Sequence, residues 1–188
     1  NYFKNYNLQF LMDQCNIGYL SSKLMLDIQI ELFRKKHLIK ISNLIIPNLY
    51  GEFDKFHKEG RIVSSLIYQI NELKINKEMT WNKTIHIDKK LNLLYVNDLV
   101  FIINYLIKND DIKSENLYIS NEKEVYISEL INKIVDLHYP QLKVNFKILE
   151  KEETTDLFNS NIKTLIPDIE FSDTRKNLNN IINFLCNK

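Results

Sequence analysis

A helical stripe that runs straight into an apolar strand is the feature that most narrows the fold of this chain. Leu20, Leu24, Ile28 and Leu32 recur at four-residue spacing, with Met25 beside them, and predict a helix over residues 18–36. Ile39-Lys40-Ile41-Ser42-Asn43-Leu44-Ile45-Ile46 follows, short and β-branched, as a buried strand reads. Pro47 ends it and residues 48–51 turn away. A strand of this kind needs neighbouring strands and helices over its faces.

The rest of the chain supplies them. Helices are predicted over 61–73, 97–107, 127–137 and 173–185, and strands over 84–88, 91–96, 117–120 and 143–149. Asn97 is placed to cap the second of these helices, and Asp173 suits the amino end of the last. Residues 1–16 read as irregular, and Glu150-Lys151-Glu152-Glu153 as an exposed acidic turn. Alternating strands and helices give the α/β class. At 188 residues, with 45% hydrophobic and 26% charged, the chain is sized for one domain with a real core.

Several functions are disfavoured at this level. A net charge of +1 is far from that of a protein that grips nucleic acid through phosphates. No apolar run reaches the roughly 18 residues that span a bilayer, so no membrane partner is expected. Cys15 and Cys186 are far apart, and His37, His57, His86 and His138 have no ligand spacing, so no metal site is expected. A reducing, cytoplasmic setting is the default for such cysteine usage.

The stretch richest in chemistry is Gly18-Tyr19-Leu20-Ser21-Ser22-Lys23. Residues four apart share a helix face, so Tyr19 and Lys23 point into the same space. An ammonium beside a phenol favours the phenolate, the form that takes up a proton near neutral pH. It can also donate to ribose hydroxyls. Ten tyrosines among many lysines supply roughly one such pair by chance, and Tyr139 with Lys143 is a second. The pair alone decides nothing.

Its surroundings add weight. The run from Tyr19 to Met25 resembles the catalytic helix of the extended short-chain dehydrogenases, the NAD-dependent epimerase/dehydratase family. Ile46-Pro47-Asn48-Leu49-Tyr50-Gly51 resembles that family's strand-end segment, especially in GDP-L-fucose synthases. Leu93-Leu94-Tyr95-Val96-Asn97-Asp98-Leu99 resembles its Phe-Leu-Tyr-Val-Asp-Asp-Leu signature, and Val125-Tyr126-Ile127-Ser128-Glu129-Leu130 a later helix start. The order is that of the family, over about residues 18–185.

The resemblance implies the carboxy-terminal part of a Rossmann-like extended short-chain dehydrogenase plus its small substrate-binding α/β subdomain. Residues 1–188 would form a single truncated domain, 1–50 holding the catalytic helix and following strand, 51–188 mainly the substrate-binding subdomain. It implies NAD or NADP as cofactor and a nucleotide-diphosphate sugar as substrate. Tyr19 and Lys23 would be catalytic and touch the cofactor, with Ile46, Pro47, Asn48 and Leu49 along the nicotinamide. Asn48, Arg61, Ser64 and Trp81 would meet the substrate. The helix bearing Tyr19 and Lys23 would join a two-fold homodimer.

Three departures qualify this. The glycines are Gly18, Gly51 and Gly60, so no glycine-rich phosphate loop exists. A long amino-terminal portion is therefore expected to be removed or supplied by another chain, and the fragment alone to be inactive. Arg61 stands where fucose-synthase relatives carry a histidine acid. It is a poor acid but a good partner for phosphate or sugar oxygens, as in UDP-glucuronate decarboxylases, and His57 nearby could stand in. The loop from Trp81 toward Leu94 lacks the usual glycines and arginine. Trp81 could stack on a base or simply pack, and Lys89 and Lys90 could reach a diphosphate or merely be solvated. The alternative to an enzyme is a degenerate, non-catalytic homologue that serves as a binding or assembly module.

Overall fold

A computed structural model of the chain describes residues 17–37, 40–86, 90–109, 115–121, 123–149 and 160–186. In chain order the elements are α1 (Ile17–His37), β1 (Asn43–Ile45), β2 (Asn48–Tyr50), α2 (Ile62–Ile75), β3 (Thr80–His86), β4 (Lys90–Tyr95), α3 (Val96–Lys108), β5 (Asn116–Tyr118), β6 (Glu124–Tyr126), α4 (Ile127–His138), β7 (Lys143–Leu149), α5 (Ile162–Leu165) and α6 (Thr174–Cys186). The predicted irregular start and the acidic turn at 150–153 lie outside the described residues. Among those residues, no helix is long and apolar enough to cross a membrane.

The described residues divide into two units. One holds 17–37, 40–43 and 115–116, and the other holds the remainder. In the first, α1 has no buried residue. Its carboxy-terminal half is tied down by Arg34, whose Nε and Nη2 donate to the Ile41 carbonyl at 3.0 and 2.7 Å. Arg34 Nη1 donates to Glu31 at 2.6 Å and to Asn116 Oδ1 at 3.0 Å. A guanidinium can serve three partners in this way because its donors fan out in one plane.

The second unit is organised around β4. Leu91 to Tyr95 are all buried, as a strand covered on both faces requires. Leu91, Leu93 and Tyr95 face a large core with α2, α4 and α6. Leu94 faces a smaller one with Ile102, Ile119, Ile162, Ile166 and Ile169. The helices bury one stripe each, Leu130, Ile131, Ile134 and Val135 on α4 and Leu178, Ile181 and Ile182 on α6, at the spacing of one helical face. β2 pairs parallel to β4, Asn48 opposite Leu93, and β6 pairs antiparallel, Lys90 opposite Tyr126. β3 and β7 form a separate parallel pair over seven positions, Thr80 opposite Lys143 through His86 opposite Leu149.

Three expectations need correction. Residues 48–50 are a strand, not a turn; Pro47 interrupts pairing for two residues and the chain resumes beside β4. Asn97 does not cap α3. The helix starts one residue earlier, Tyr95 holds the cap position, and no side chain caps it. Trp81 lies within strand β3, not in a loop. By contrast β7 spans 143–149 as predicted, and Asp173 accepts the Lys176 amide at 2.9 Å at the start of α6.

Asn92 is the one polar residue among the five buried positions of β4, and its side chain is fully used. Nδ2 donates to Ser120 Oγ at 2.8 Å and to the Asn121 carbonyl at 2.5 Å, while Oδ1 accepts the Asn121 amide at 2.9 Å. Asn92→Leu leaves the buried Asn121 backbone groups without these partners. It should cost about 2–4 kcal/mol, read as a lower denaturation midpoint; a midpoint equal to wild type would show the network to be dispensable. His138 gives a pH test. It is buried, its Nε2 lies 3.0 Å from Asn71 Oδ1, and burial, then the charge of Lys74, lowers its pKa. The unfolded chain therefore binds a proton that the folded one resists. Stability should fall as pH drops below about 6.5, and His138→Gln should flatten that part of the stability–pH curve.

Candidate active site

In the first unit, Tyr19 and Lys23 stand one turn apart on α1. Tyr19 is 63% exposed and Lys23 is exposed, with its Nζ 5.4 Å from the Tyr19 ring centroid. Ser22 Oγ donates to the Tyr19 carbonyl at 2.7 Å and braces the turn between them. Among the described residues neither the phenol nor the ammonium makes a hydrogen bond, so both are open to a ligand.

The other predicted site residues belong to the second unit. Ile46 and Asn48 are exposed, Pro47 and Leu49 half-buried. Asn48 Nδ2 donates to the Asn92 carbonyl at 3.2 Å, which couples this side chain to the β4 network. Tyr50 is buried, and Gly51 follows under the start of α3. A Cβ on Gly51 would lie 2.6 Å from Val96 Cγ1, so the chain passes there only without a side chain. The Tyr95 hydroxyl donates to Glu52. Burial first, and then the Glu52 carboxylate, push Tyr95 above the ordinary tyrosine range, so it stays a donor.

The segment before α2 is bound to the helix. Ser65 Oγ donates to the Lys58 carbonyl at 2.7 Å and Ser64 Oγ to the Arg61 carbonyl at 3.0 Å. Arg61 extends into solvent, whereas Ser64 is buried and its hydroxyl serves the helix start. His57 Nδ1 accepts the Glu59 amide at 3.2 Å. In the neutral ring this puts the proton on Nε2. Trp81 packs half-buried on the main core, with Lys83 Nζ 5.0 Å from its ring centroid.

Sequence reasoning missed a cleft of about 1270 Å³ whose walls include Asn92, Ser120, Asn121 and residues 169–174. No predicted substrate residue lines it. Lys90, Lys123, Lys133 and Lys163 line it together with Glu124, Glu129, Glu170 and Asp173. Lys133 pairs with Glu129 at 2.8 Å and Lys90 with Glu124 at 3.9 Å. Balanced charge suits a polar ligand, not a strongly anionic one. Its walls come from segments distant in sequence, so Lys90, Val125, Glu129 and Asp173 had drawn notice only separately.

Comparison with known proteins agrees with this architecture. The model of the NAD dependent epimerase/dehydratase family matches residues 9–119. GDP-L-fucose synthase of Dictyostelium discoideum is 24% identical over 163 residues, 84% of this chain and 50% of that protein. A crystal structure of a GDP-L-fucose synthetase from Naegleria fowleri bound to NADP superposes with a TM-score of 0.78 at 16% identity, covering 92% of this chain and 55% of its own. RMD from Pseudomonas aeruginosa, complexed with NADPH, gives 0.71 at 17% identity over 88% and 55%. The chain thus spans about half the length of these relatives, and its fold is the mixed α/β, Rossmann-like fold they share.

The contact at Gly51 yields a double-variant test. Gly51→Ala should destabilise by about 1–3 kcal/mol through overpacking against Val96, and adding Val96→Ala should recover most of that loss in thermal melts. Equal loss in the single and double variants would mean that the contact with Val96 is not what demands the glycine.

Proposed function

The chain belongs to the NAD dependent epimerase/dehydratase family, and we propose that the complete protein is an NAD(P)-dependent epimerase, dehydratase or reductase of a nucleoside-diphosphate sugar. The observation that carries this is the exposed Tyr19–Lys23 pair on α1 in a chain with this family's motifs in order. On this reading residues 1–50 belong to the nucleotide-binding core and 51–188 mainly to the substrate subdomain.

The cofactor, when bound, supplies the hydride exchange with a sugar carbon. The residues present suit its ribose and nicotinamide end. A phenol and an ammonium, both solvent-facing and without hydrogen bonds among the described residues, are the groups such an end would meet. The chain has no glycine-rich loop for the pyrophosphate.

Tyr19 moves the proton of the reacting sugar hydroxyl, accepting it during oxidation and returning it during reduction. Lys23 donates to the ribose hydroxyls and stabilises negative charge on the Tyr19 oxygen. The Ile46–Leu49 backbone borders the nicotinamide, and Asn48, steadied by Asn92, holds the sugar. Arg61 offers its planar fork to phosphate or sugar oxygens, Trp81 lies against the base, and buried Ser64 acts only by holding the Arg61 carbonyl. A homodimer through α1 is part of this reading. Ile17, Met25, Leu26, Ile28, Leu32 and Phe33 are exposed along it and offer apolar surface to a partner.

Tyr19→Phe in the complete protein tests the assignment. Turnover should fall by a factor of about 10²–10⁴, the usual contribution of a positioned acid or base, while NADPH binding, followed by its fluorescence, stays unchanged. Near wild-type turnover would put the proton transfer elsewhere, and no binding of NADH or NADPH by the complete protein would favour the non-catalytic homologue.

A further inference from the structure

Lys83 sits where strand alternation calls for an apolar side chain. On β3, Thr80, Asn82 and Thr84 are exposed, while Trp81 and Lys83 are half-buried and Ile85 is buried. Lys83 therefore shares the inward face with Trp81, two residues away. Among the described residues no carboxylate pairs with it. Burial lowers its pKa from the ordinary lysine value. A cation in such a position opposes folding unless it has partners.

Its partners are unusually well fixed. Nζ lies 2.9 Å from Gln69 Oε1 and 5.0 Å from the centroid of the Trp81 ring. Gln69 cannot present its amide the other way round, because Nε2 donates to Ser65 Oγ at 2.9 Å and to the Ser65 carbonyl at 3.2 Å. The Ser65 hydroxyl has already given its proton to the Lys58 carbonyl. A chain of bonds thus runs from the segment before α2, through Ser65 and Gln69, to the ammonium. An ammonium carries three N–H groups. Gln69 takes one and the indole face attracts the charge. A hydrogen remains for an acceptor.

We propose that Lys83 and Trp81 together recognise the nucleoside diphosphate of the substrate, Lys83 pairing with a phosphate oxygen and Trp81 supplying the aromatic surface for the base. This rests on the nucleotide-sugar reading and adds to it a cation on β3. The phosphate supplies the charge partner that the described residues do not give Lys83. The large cleft does not compete for this role, since its four lysines are matched in number by four carboxylates.

Trp81 is the only tryptophan of the chain, so its fluorescence reports this corner alone. The chain is titrated with GDP and with UDP, and in parallel with guanosine and uridine. Lys83→Met should weaken the preferred diphosphate by roughly tenfold or more, leave the matching nucleoside within about twofold, and Lys83→Arg should keep most of the affinity. The melting temperature of Lys83→Met should equal or exceed wild type, because a half-buried charge has been removed. Equal diphosphate affinity in wild type and Lys83→Met overturns the proposal, as does an equal loss for diphosphate and nucleoside. A wild-type chain that binds neither diphosphate overturns it too. Turnover and NADPH binding in the Tyr19→Phe experiment judge the enzymatic reading separately.

Discussion

Much of the second unit depends on β4 being covered on both sides. Leu91, Leu93 and Tyr95 enter one core and Leu94 the other, so the strand forms a wall of both. Fully burying a leucine contributes about 1.5–3 kcal/mol, and three of the four are leucines. Such a strand must satisfy its backbone through its neighbours, and β2 and β6 do this from either side. The register it imposes on β2 sets Asn48 opposite Leu93 and brings its amide to the Asn92 carbonyl. The local geometry of a proposed sugar contact is thus a consequence of core packing.

A second set of bonds closes the carboxy-terminal ends of these strands. Asn177 on α6 donates to the Tyr50 hydroxyl at 3.2 Å and to Ser172 Oγ at 2.8 Å, and Ser172 gives both its amide and its hydroxyl to Asp98. Burial holds Tyr50 above the usual tyrosine range, so it remains a neutral phenol that can accept from Asn177. Asp98, in the first turn of α3, is well placed by the helix dipole. Through it the start of α3, the end of β2 and the start of α6 become one hydrogen-bonded group. The Tyr95 ring lies against that of Tyr50, 5.5 Å between centroids, and its hydroxyl reaches Glu52 in the segment that leads toward Arg61.

These relations show why the sequence was legible in parts. Periodicity is local, so α1, α4 and β7 could be read within a residue or two. The Tyr19–Lys23 relation is likewise a property of one helix. β2 could not be read, because three residues after a proline become a strand only when β4 lies beside them. Asn97 looked like a cap on local grounds, yet Val96 was drawn into the helix as the chain left β4. Trp81 looked like part of a loop because nothing near it in sequence reveals its pairing with Val144 on β7. The cleft was invisible for the same reason, since its walls meet only after folding.

Two inward-facing polar side chains carry the last distinction. Asn92 and Lys83 both occupy strand positions where the pattern calls for hydrocarbon. In Asn92 both amide hydrogens and the carbonyl oxygen are engaged by groups of the same unit. Its polarity is consumed by the fold, and it acts on the site only through the backbone carbonyl it offers to Asn48. Lys83 is different in kind. Its Gln69 partner is neutral, the ring it lies over is neutral, and its charge has no opposite among the described residues. A polar group that a fold needs is satisfied when folding is complete. One that folding leaves charged, held in place and partly exposed keeps a hydrogen for water or for an anion that binds afterwards.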